Sequence, residues 1–245
     1  NLNKVIYELK KTDADILAFQ EIDFDSNRSF HINQQEEIAK LGYKYGGQNV
    51  NWDKKYVPFP YYPFSLHFGK IISGQERVEL LRNNKNPFYY DSFYLDRLAQ
   101  IVKIIINDKT LVLINVHLEA YDRETRAKQM QKIKSLYIKY YMDFPTILLG
   151  DFNSDTNVSD ASIGLLLKLP HMGCAAFDPL KPANTFSSES PTKRLDYIFY
   201  NDNFIHEVKG MVLHQFDKAS DHLPLQMNFK FKTKQYGTSR KQPDT

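Results

Sequence analysis

The sequence has a single cysteine, Cys174, and no long hydrophobic segment. One cysteine excludes an intramolecular disulfide and a zinc site built from several thiolates, and it is most simply a buried apolar thiol. The longest apolar runs, such as LVLINVHL at 111–118, are far too short to cross a bilayer as helices. We therefore expect no transmembrane segment; the compartment stays open, with the cytoplasm slightly favoured.

The chain also lacks a strong excess of charge of one sign. Its 245 residues carry a net charge of +3, with 42% hydrophobic and 25% charged residues, which is ordinary usage for a globular domain. A dedicated nucleic-acid-binding protein would be more basic. This balance permits an anionic substrate without requiring one. The length suits one large domain with a sizeable core, which we expect to be a monomer.

The two ends of the chain differ in pattern. The first residues, NLNKVIYELKKT, have no initiator Met and open inside an amphipathic helix pattern, so we expect that further residues preceded them. Residues 233–245 mix basic and small polar side chains without periodicity, which predicts a disordered basic tail. The expected organisation is one domain over residues 1–232 followed by this tail.

Strand and helix patterns alternate in the first two thirds of the chain, and strands dominate its end. Short apolar runs predict buried strands, and two of them, at 97–108 and 109–118, are joined by a tight Asn107-Asp108 turn. Helix patterns lie at 34–41, at 123–142 and near 159–168. This order predicts one α/β domain, most simply two packed sheets covered by helices on their outer faces.

Five apolar segments each have an acid, an amide or an imidazole at one end. Taken singly, such a carboxylate is typical of a helix cap or a turn, and a histidine ending a strand is typical of a hydrogen-bonded residue near the core. The repetition indicates a site, because sites gather where the strands of a sheet end. The residues are Glu21, His117, Asp151, Asn153, Asp196, Asp221 and His222.

The motifs LAFQEID, NVHLEA, LLGDFNSD, RLDYIFY and SDHLPL, in this order, resemble those of the endonuclease/exonuclease/phosphatase superfamily. Its members include DNase I-like nucleases, abasic-site endonucleases, inositol polyphosphate 5-phosphatases and neutral sphingomyelinases. The resemblance implies a DNase I-like α/β fold, a four-layer sandwich of two mixed β-sheets flanked by helices, with the site at one edge. It also implies metal-dependent hydrolysis of phosphoester bonds, with nucleic acid the most common substrate class.

The resemblance further implies which residues hold the metal and which address the phosphate. Glu21 and Asp221 would bind Mg²⁺, with Mn²⁺ as a substitute, because this cation prefers hard oxygen ligands. Asp151 and Asn153 would address the attacking water and a phosphate oxygen. His117 would donate to the phosphoryl oxygens as charge builds there.

The last motif places Asp221 and His222 side by side, and the resemblance implies different partners for the two. His222 would act as a base or as a cationic donor, with its tautomer fixed by Asp196. Whether Asp151 or the pair of His222 and Asp196 removes the proton from water stays open at the level of sequence.

The chain departs from the family pattern at two points. The family's first strand carries an asparagine of the site, and this chain begins downstream of it, so we expect the domain to lack that strand. After HFGKIISGQ the family usually continues with a further strand, whereas ERVELL follows Gln75 at once. We expect residues to be missing between Gln75 and Glu76, because loss of an interior strand would leave backbone donors unpaired.

The sequence leaves the substrate open. The aromatic stretch 52–68 suits stacking on bases or sugars, insertion into lipid, or packing on itself. Asp96 and Arg97 favour a structural ion pair over a substrate contact. The leading hypothesis is a Mg²⁺-dependent phosphodiesterase of the nuclease type. One alternative is that the same site hydrolyses a phospholipid or a small phosphorylated molecule. The other is a non-catalytic binding protein with this fold. The presence of an acid or imidazole at every matched position argues against the second alternative.

Overall fold

The computed structural model describes residues 2–24, 29–50, 64–69, 72–80, 97–158, 161–178 and 183–232. The aromatic stretch lies outside these ranges over residues 52–63, and so do Asp96 and the expected tail. The elements in chain order are α1 (Leu2–Thr12), β1 (Leu17–Ile22), α2 (Gln34–Ala39), β2 (Tyr45–Val50), β3 (Phe64–Gly69), β4 (Ile72–Glu79), β5 (Leu98–Ile106), β6 (Lys109–His117), α3 (Arg123–Tyr141), β7 (Thr146–Asp151), α4 (Gly164–Leu167), β8 (Met172–Cys174), β9 (Asp196–Asn201), β10 (Ile205–Val212), a 3-10 helix (His214–Ala219) and β11 (Leu225–Phe231).

Six strands form one mixed sheet in the order β4-β5-β6-β7-β9-β8. β5 and β6 pair antiparallel through Asn107 and Asp108, whose φ angles of 48° and 61° suit a tight hairpin turn, as predicted. β6 and β7 pair in parallel, with α3 in the connection between them. Gln75 and Glu76 lie within β4, which pairs with β5. The expectation that residues are missing between them stays a prediction.

The second layer consists of two smaller sheets, β1-β3-β2 and β10-β11. The β10-β11 sheet packs against the six-stranded sheet through an apolar cluster that includes Val102, Leu113 and Ile147, with Met227 and Phe229 against it. In the other small sheet, β1 lies close to β6 and β7, and β3 lies close to β5. A buried amide pair also joins the layers, because Gln20 Nε2 donates to Asn115 Oδ1 at 2.6 Å. The pair fixes β1 against β6 close to the end of both strands.

Helices cover the outer faces of both layers. α3 buries Met130, Ile133, Leu136 and Tyr137 against the six-stranded sheet, which is the face that its periodicity predicts. α1 and α2 pack on the second layer. The predicted helix near 159–168 is shorter than expected and covers only Gly164–Leu167 among the described residues. The predicted α/β sandwich is confirmed, with its second layer divided into two sheets.

Within the described ranges, no helix is both long enough and apolar enough to cross a membrane.

Candidate active site

Three neighbouring strands of the six-stranded sheet end at the same level. β6 and β7 place His117 beside Asp151, and β7 and β9 place Asp151 beside Asp196. Because side chains at paired positions project from the same face of a sheet, these three side chains lie close together. The strand register thus gathers three of the predicted site residues at one edge of the sheet.

Gly150 allows β6 and β7 to approach closely just before the site. It has a φ of 134°, and a Cβ atom placed on it would lie only 1.9 Å from the backbone oxygen of Val116. Only glycine avoids both the backbone strain and this clash. The glycine of the GDFN motif is therefore needed to position Asp151, the residue that follows it.

Asn153 orients the Asp151 carboxylate. Its φ of 48° lies in the left-handed region, where asparagine is one of the better tolerated residues. The backbone N–H of Asn153 donates to Asp151 Oδ1 at 2.8 Å, and its side-chain amide donates to Asp151 Oδ2 at 3.2 Å. The same amide donates to the backbone oxygen of Leu118. Asn153 thereby couples the carboxylate to the end of the neighbouring strand.

The environment of Asp151 favours its protonated form. Burial is the largest effect and, together with the negative charge of Asp196, raises the pKa of Asp151 to about 7. The positive charges of His222 and Arg97 and the hydrogen bond from Asn153 act in the opposite direction.

His222 and Asp196 form the shortest contact between charged groups in the site. His222 Nδ1 lies 2.7 Å from Asp196 Oδ2, which fixes the ring orientation. Burial lowers the pKa of His222, but the hydrogen bond and charge of Asp196, assisted by the charges of Asp151 and Asp221, outweigh it and raise this pKa to about 9. His222 is therefore protonated at neutral pH.

A backbone clasp formed by residues 185–188 holds the loop that carries Asp221 and His222. Leu223 N donates to Thr185 O at 2.8 Å, and Ser188 N donates to Asp221 O at 2.7 Å. The Thr185 hydroxyl also accepts from Asp196 N, so the same segment supports both partners of the His222 contact. Asp221 stays exposed while His222 is half-buried, so the two neighbours occupy different environments.

Glu21 and His117 meet across the two layers. Glu21 has a φ of 54° at a register irregularity in β1, and its carboxylate lies 3.6 Å from His117 Nδ1. His117 Nε2 lies 3.5 Å from Asp151 Oδ2. Burial, followed by the charges of Arg97 and His222, holds the pKa of His117 well below its usual range. The His117 imidazole is therefore neutral, and its contacts with Glu21 and Asp151 are not ion pairs at neutral pH.

Asp151, Asp196 and His222 form the cluster in the described chain whose potential ligand atoms all lie within 4.8 Å of one another. Glu21 and Asp221 are not members of this cluster, so their assignment as metal ligands stays a prediction. The donor set nevertheless fits a hard cation, because several carboxylates converge at one edge. The negative charge of Asp196 adds to the effect of burial on the pKa of Asp151, and a bound cation would oppose this repulsion.

Two structural contributors had no signal in the sequence. Thr185 lies 11 positions before Asp196, and its buried hydroxyl supports that residue from another segment. The Phe186 ring packs against the His222 ring, with 5.0 Å between centroids. Both contacts depend on tertiary folding of the segment 183–193, which has neither an apolar period nor a recognisable motif.

The overall structure is similar to several solved structures. The catalytic domain of human Nocturnin with bound sulfate shares 19% identity at a TM-score of 0.64, over 94% of this chain and 86% of that one. A mannosyl-6-phosphatase from Bacteroides thetaiotaomicron shares 19% identity at 0.65, over 94% and 90%. Humanized TDP2 from D. rerio shares 17% identity at 0.64, over 94% and 93%. At these identities the similarity shows the fold.

Among curated proteins, no sequence matches this chain. The sequence model of the Endonuclease/Exonuclease/phosphatase family, in contrast, matches residues 1–222. The matched range contains the strand ends and the loop that carry the site residues, from Glu21 to His222. The resemblance of the five motifs is confirmed, and the chain belongs to the endonuclease/exonuclease/phosphatase family.

Proposed function

We propose that the protein is a Mg²⁺-dependent hydrolase of phosphoester bonds, and that its substrates are phosphodiesters of the nucleic-acid type. The observation that carries this proposal is the 2.7 Å contact of His222 with Asp196, placed beside the buried Asp151 and His117. Hydrolytic phosphoesterases make up the family. The protonated His222, the Asp151 carboxyl group and the neutral His117 lie together at one edge of the sheet. This combination suits proton transfer and hydrogen bonding to a phosphate group.

Glu21 and Asp221 are the residues that we assign to the metal. Both present carboxylates at the rim of the site, where the Glu21 side chain is 46% exposed and Asp221 is exposed. Mn²⁺ would substitute for Mg²⁺, since both accept oxygen ligands. A bound cation of this kind neutralises non-bridging phosphate oxygens and stabilises the leaving oxygen.

Asp151 is the better candidate for the general base. A base works best when its pKa lies near the operating pH, and the pKa of Asp151 is raised to about 7. His222 is protonated at that pH, because its pKa is raised to about 9. It therefore suits the role of a cationic donor to a phosphoryl oxygen, with Asp196 holding its ring.

Asn153 and His117 then take supporting roles. Both nitrogen atoms of Asn153 donate to the Asp151 carboxylate, and Nδ2 also donates to Leu118 O just after β6, so we assign Asn153 the role of orienting the base. A direct contact of Asn153 with a phosphate oxygen, expected from the sequence, stays a prediction. His117 is neutral and buried, and a neutral imidazole can still donate one N–H to a phosphoryl oxygen.

A phosphomonoesterase is the second candidate. One structural neighbour that spans nearly all of this chain is a mannosyl-6-phosphatase, so the same fold accommodates that activity. The net charge of +3 suits a small phosphorylated molecule as well as a nucleic acid. A phospholipid substrate would use the same site chemistry.

A substrate panel would separate these candidates. We would assay bis(p-nitrophenyl) phosphate, p-nitrophenyl phosphate, DNA and RNA oligonucleotides, and sphingomyelin vesicles, each with Mg²⁺, Mn²⁺ or EDTA. We expect metal-dependent cleavage of the diesters, lost in His222→Ala and kept in His214→Ala, a matched change at an exposed histidine. Cleavage of the monoester alone would favour the second candidate. A folded protein that hydrolyses none of these substrates with either metal would overturn the proposal.

A further inference from the structure

Arg97 is a buried arginine whose Nη1 atom has no hydrogen-bond partner among the described residues. The residue is only 7% exposed and directly precedes β5, where its backbone oxygen accepts from Leu80 N at 2.9 Å. Its Nη1 atom is fully buried and donates to no group in the described part of the chain. A cationic group in this position loses its hydration without gaining a protein partner, which is energetically unfavourable.

Arg194 shows how this protein satisfies an arginine that serves only the structure. Arg194 is similarly buried, at 4% exposure. Its Nη1 donates to Ala176 O at 3.0 Å, and its Nη2 donates to Ala175 O at 2.8 Å. Its guanidinium thus binds backbone carbonyls of a neighbouring segment. The Nη1 atom of Arg97 differs, because no such hydrogen bond is formed. This difference indicates that Arg97 has a partner outside the folded chain.

The position of Arg97 indicates what this partner is. β5 pairs with β6, so the residue before β5 lies beside the end of β6, where His117 is located. The positive charge of Arg97 lowers the pKa of both His117 and Asp151, which places the guanidinium within electrostatic reach of both groups. It nevertheless forms no ion pair with the Asp151 carboxylate. The unused donors therefore lie next to the position where a substrate would meet Asp151 and His117.

We propose that the guanidinium of Arg97, whose Nη1 atom has no partner in the described part of the chain, binds a non-bridging oxygen of the substrate's phosphoryl group directly. The planar fork of arginine matches phosphate geometry, and hydrogen bonds between charged groups are stronger than those between neutral ones. Because the oxygen gains charge during hydrolysis, this contact strengthens in the transition state. The proposal rests on the proposed function for its substrate, but anion binding by Arg97 does not require catalysis.

The first experiment measures binding of inorganic phosphate to the metal-free protein in EDTA, using the shift in melting temperature. We expect phosphate to raise the melting temperature of the wild type and of Arg77→Gln, a control that removes an arginine paired with Glu79 in β4. We expect no phosphate-dependent rise for Arg97→Gln. In the absence of phosphate, Arg97→Gln should melt at the same temperature as the wild type or higher, because a buried unpaired charge has been removed.

The second experiment measures kinetics with the best substrate of the panel. Arg97→Gln should lower kcat/KM by on the order of 10²-fold, the usual loss for one donor to a developing oxyanion. Arg97→Lys should recover part of the loss, because it restores the charge without the two-pronged geometry. If Arg97→Gln fails to fold, Arg97→Lys decides: a native melting temperature with a reduced phosphate response supports the proposal, and an unchanged response overturns it.

The outcomes also separate this proposal from the proposed function. If the wild type hydrolyses no phosphoester but its phosphate response depends on Arg97, the anion site stands and the enzymatic function fails. If hydrolysis is observed while Arg97→Gln keeps both its phosphate response and its kcat/KM, the function stands and the role of Arg97 is refuted. A large fall in the melting temperature of Arg97→Gln, with phosphate binding retained, would show that Arg97 is a structural cation.

Discussion

Replacing Asp196 with Asn removes the charge that holds His222 in its protonated form. In the folded protein the pKa of His222 is raised from 6.5 to about 9, and this difference corresponds to about 3 kcal/mol in favour of the imidazolium. In Asp196→Asn the burial of the ring still lowers its pKa, and only the charges of Asp151 and Asp221 oppose it. We therefore expect the His222 pKa to fall by at least one unit in this variant, as measured by NMR titration of the metal-free protein.

The same contact contributes to stability in a defined pH range. Because the folded-state pKa of His222 is raised, its contribution is fully present below pH 6.5 and is lost as the pH rises through about 9. The difference in unfolding free energy between the wild type and Asp196→Asn should shrink across this range. A wild-type imidazole that titrates at or below pH 6.5 would contradict the structure of this pair.

Kinetics test whether the pair acts as one unit. His222→Ala should lower kcat by on the order of 10²-fold or more, and Asp196→Asn should lower it through loss of ring orientation. The double variant should lose no more than the worse single variant, because residues that act together lose their joint contribution when either is removed. The assay is kcat/KM for all three variants in saturating Mg²⁺. Logarithmic losses that simply add would refute the pairing.

Three further predictions concern the metal, the strand approach and the clasp. EDTA should abolish hydrolysis and Mg²⁺ or Mn²⁺ should restore it, while Glu21→Gln should weaken metal affinity in a calorimetric titration without lowering the melting temperature; full activity in chelator would exclude the assignment. Gly150→Ala should destabilise the protein by about 3 kcal/mol or more in urea unfolding, because a positive φ combines with a clash against Val116, and a near-native midpoint would contradict the close approach. Thr185→Val should cost about 1–3 kcal/mol, because it leaves the backbone donors of Leu195 and Asp196 unsatisfied, and Thr185→Ser should retain most of the stability.

The sequence predicted the elements that carry the site better than it predicted their mutual arrangement. The turn at Asn107-Asp108 and the apolar face of α3 depend on local rules, and both are as expected. Asp151 and Asp196 were each expected at a strand end, which follows from the apolar runs beside them. That the two meet in register depends on strand pairing, which no local pattern encodes.

Other features of the site arise only from the folded chain. The clasp at Thr185 consists of hydrogen bonds between segments that are distant from each other in sequence. Among the described residues, the helix expected near 159–168 covers only Gly164–Leu167. The sequence favoured a structural ion pair between Asp96 and Arg97, and Asp96 lies outside the described ranges. The unpaired Nη1 atom of Arg97 is visible only when the burial and the partners of the side chain are known.

The division of the second layer has a consequence for how the proposed activity would be lost on partial unfolding. His117, Asp151 and Asp196 lie on central strands of the six-stranded sheet, whereas Glu21 lies on a three-stranded sheet and His222 on a loop that leads into a two-stranded one. Small sheets with few paired strands open locally at lower free energy than a six-stranded core. Mild heat or denaturant should therefore separate His222 from Asp196 while the core stays folded. Activity should disappear before the near-ultraviolet circular dichroism of the core does, and amide protons of β10 and β11 should exchange faster than those of β6 and β7.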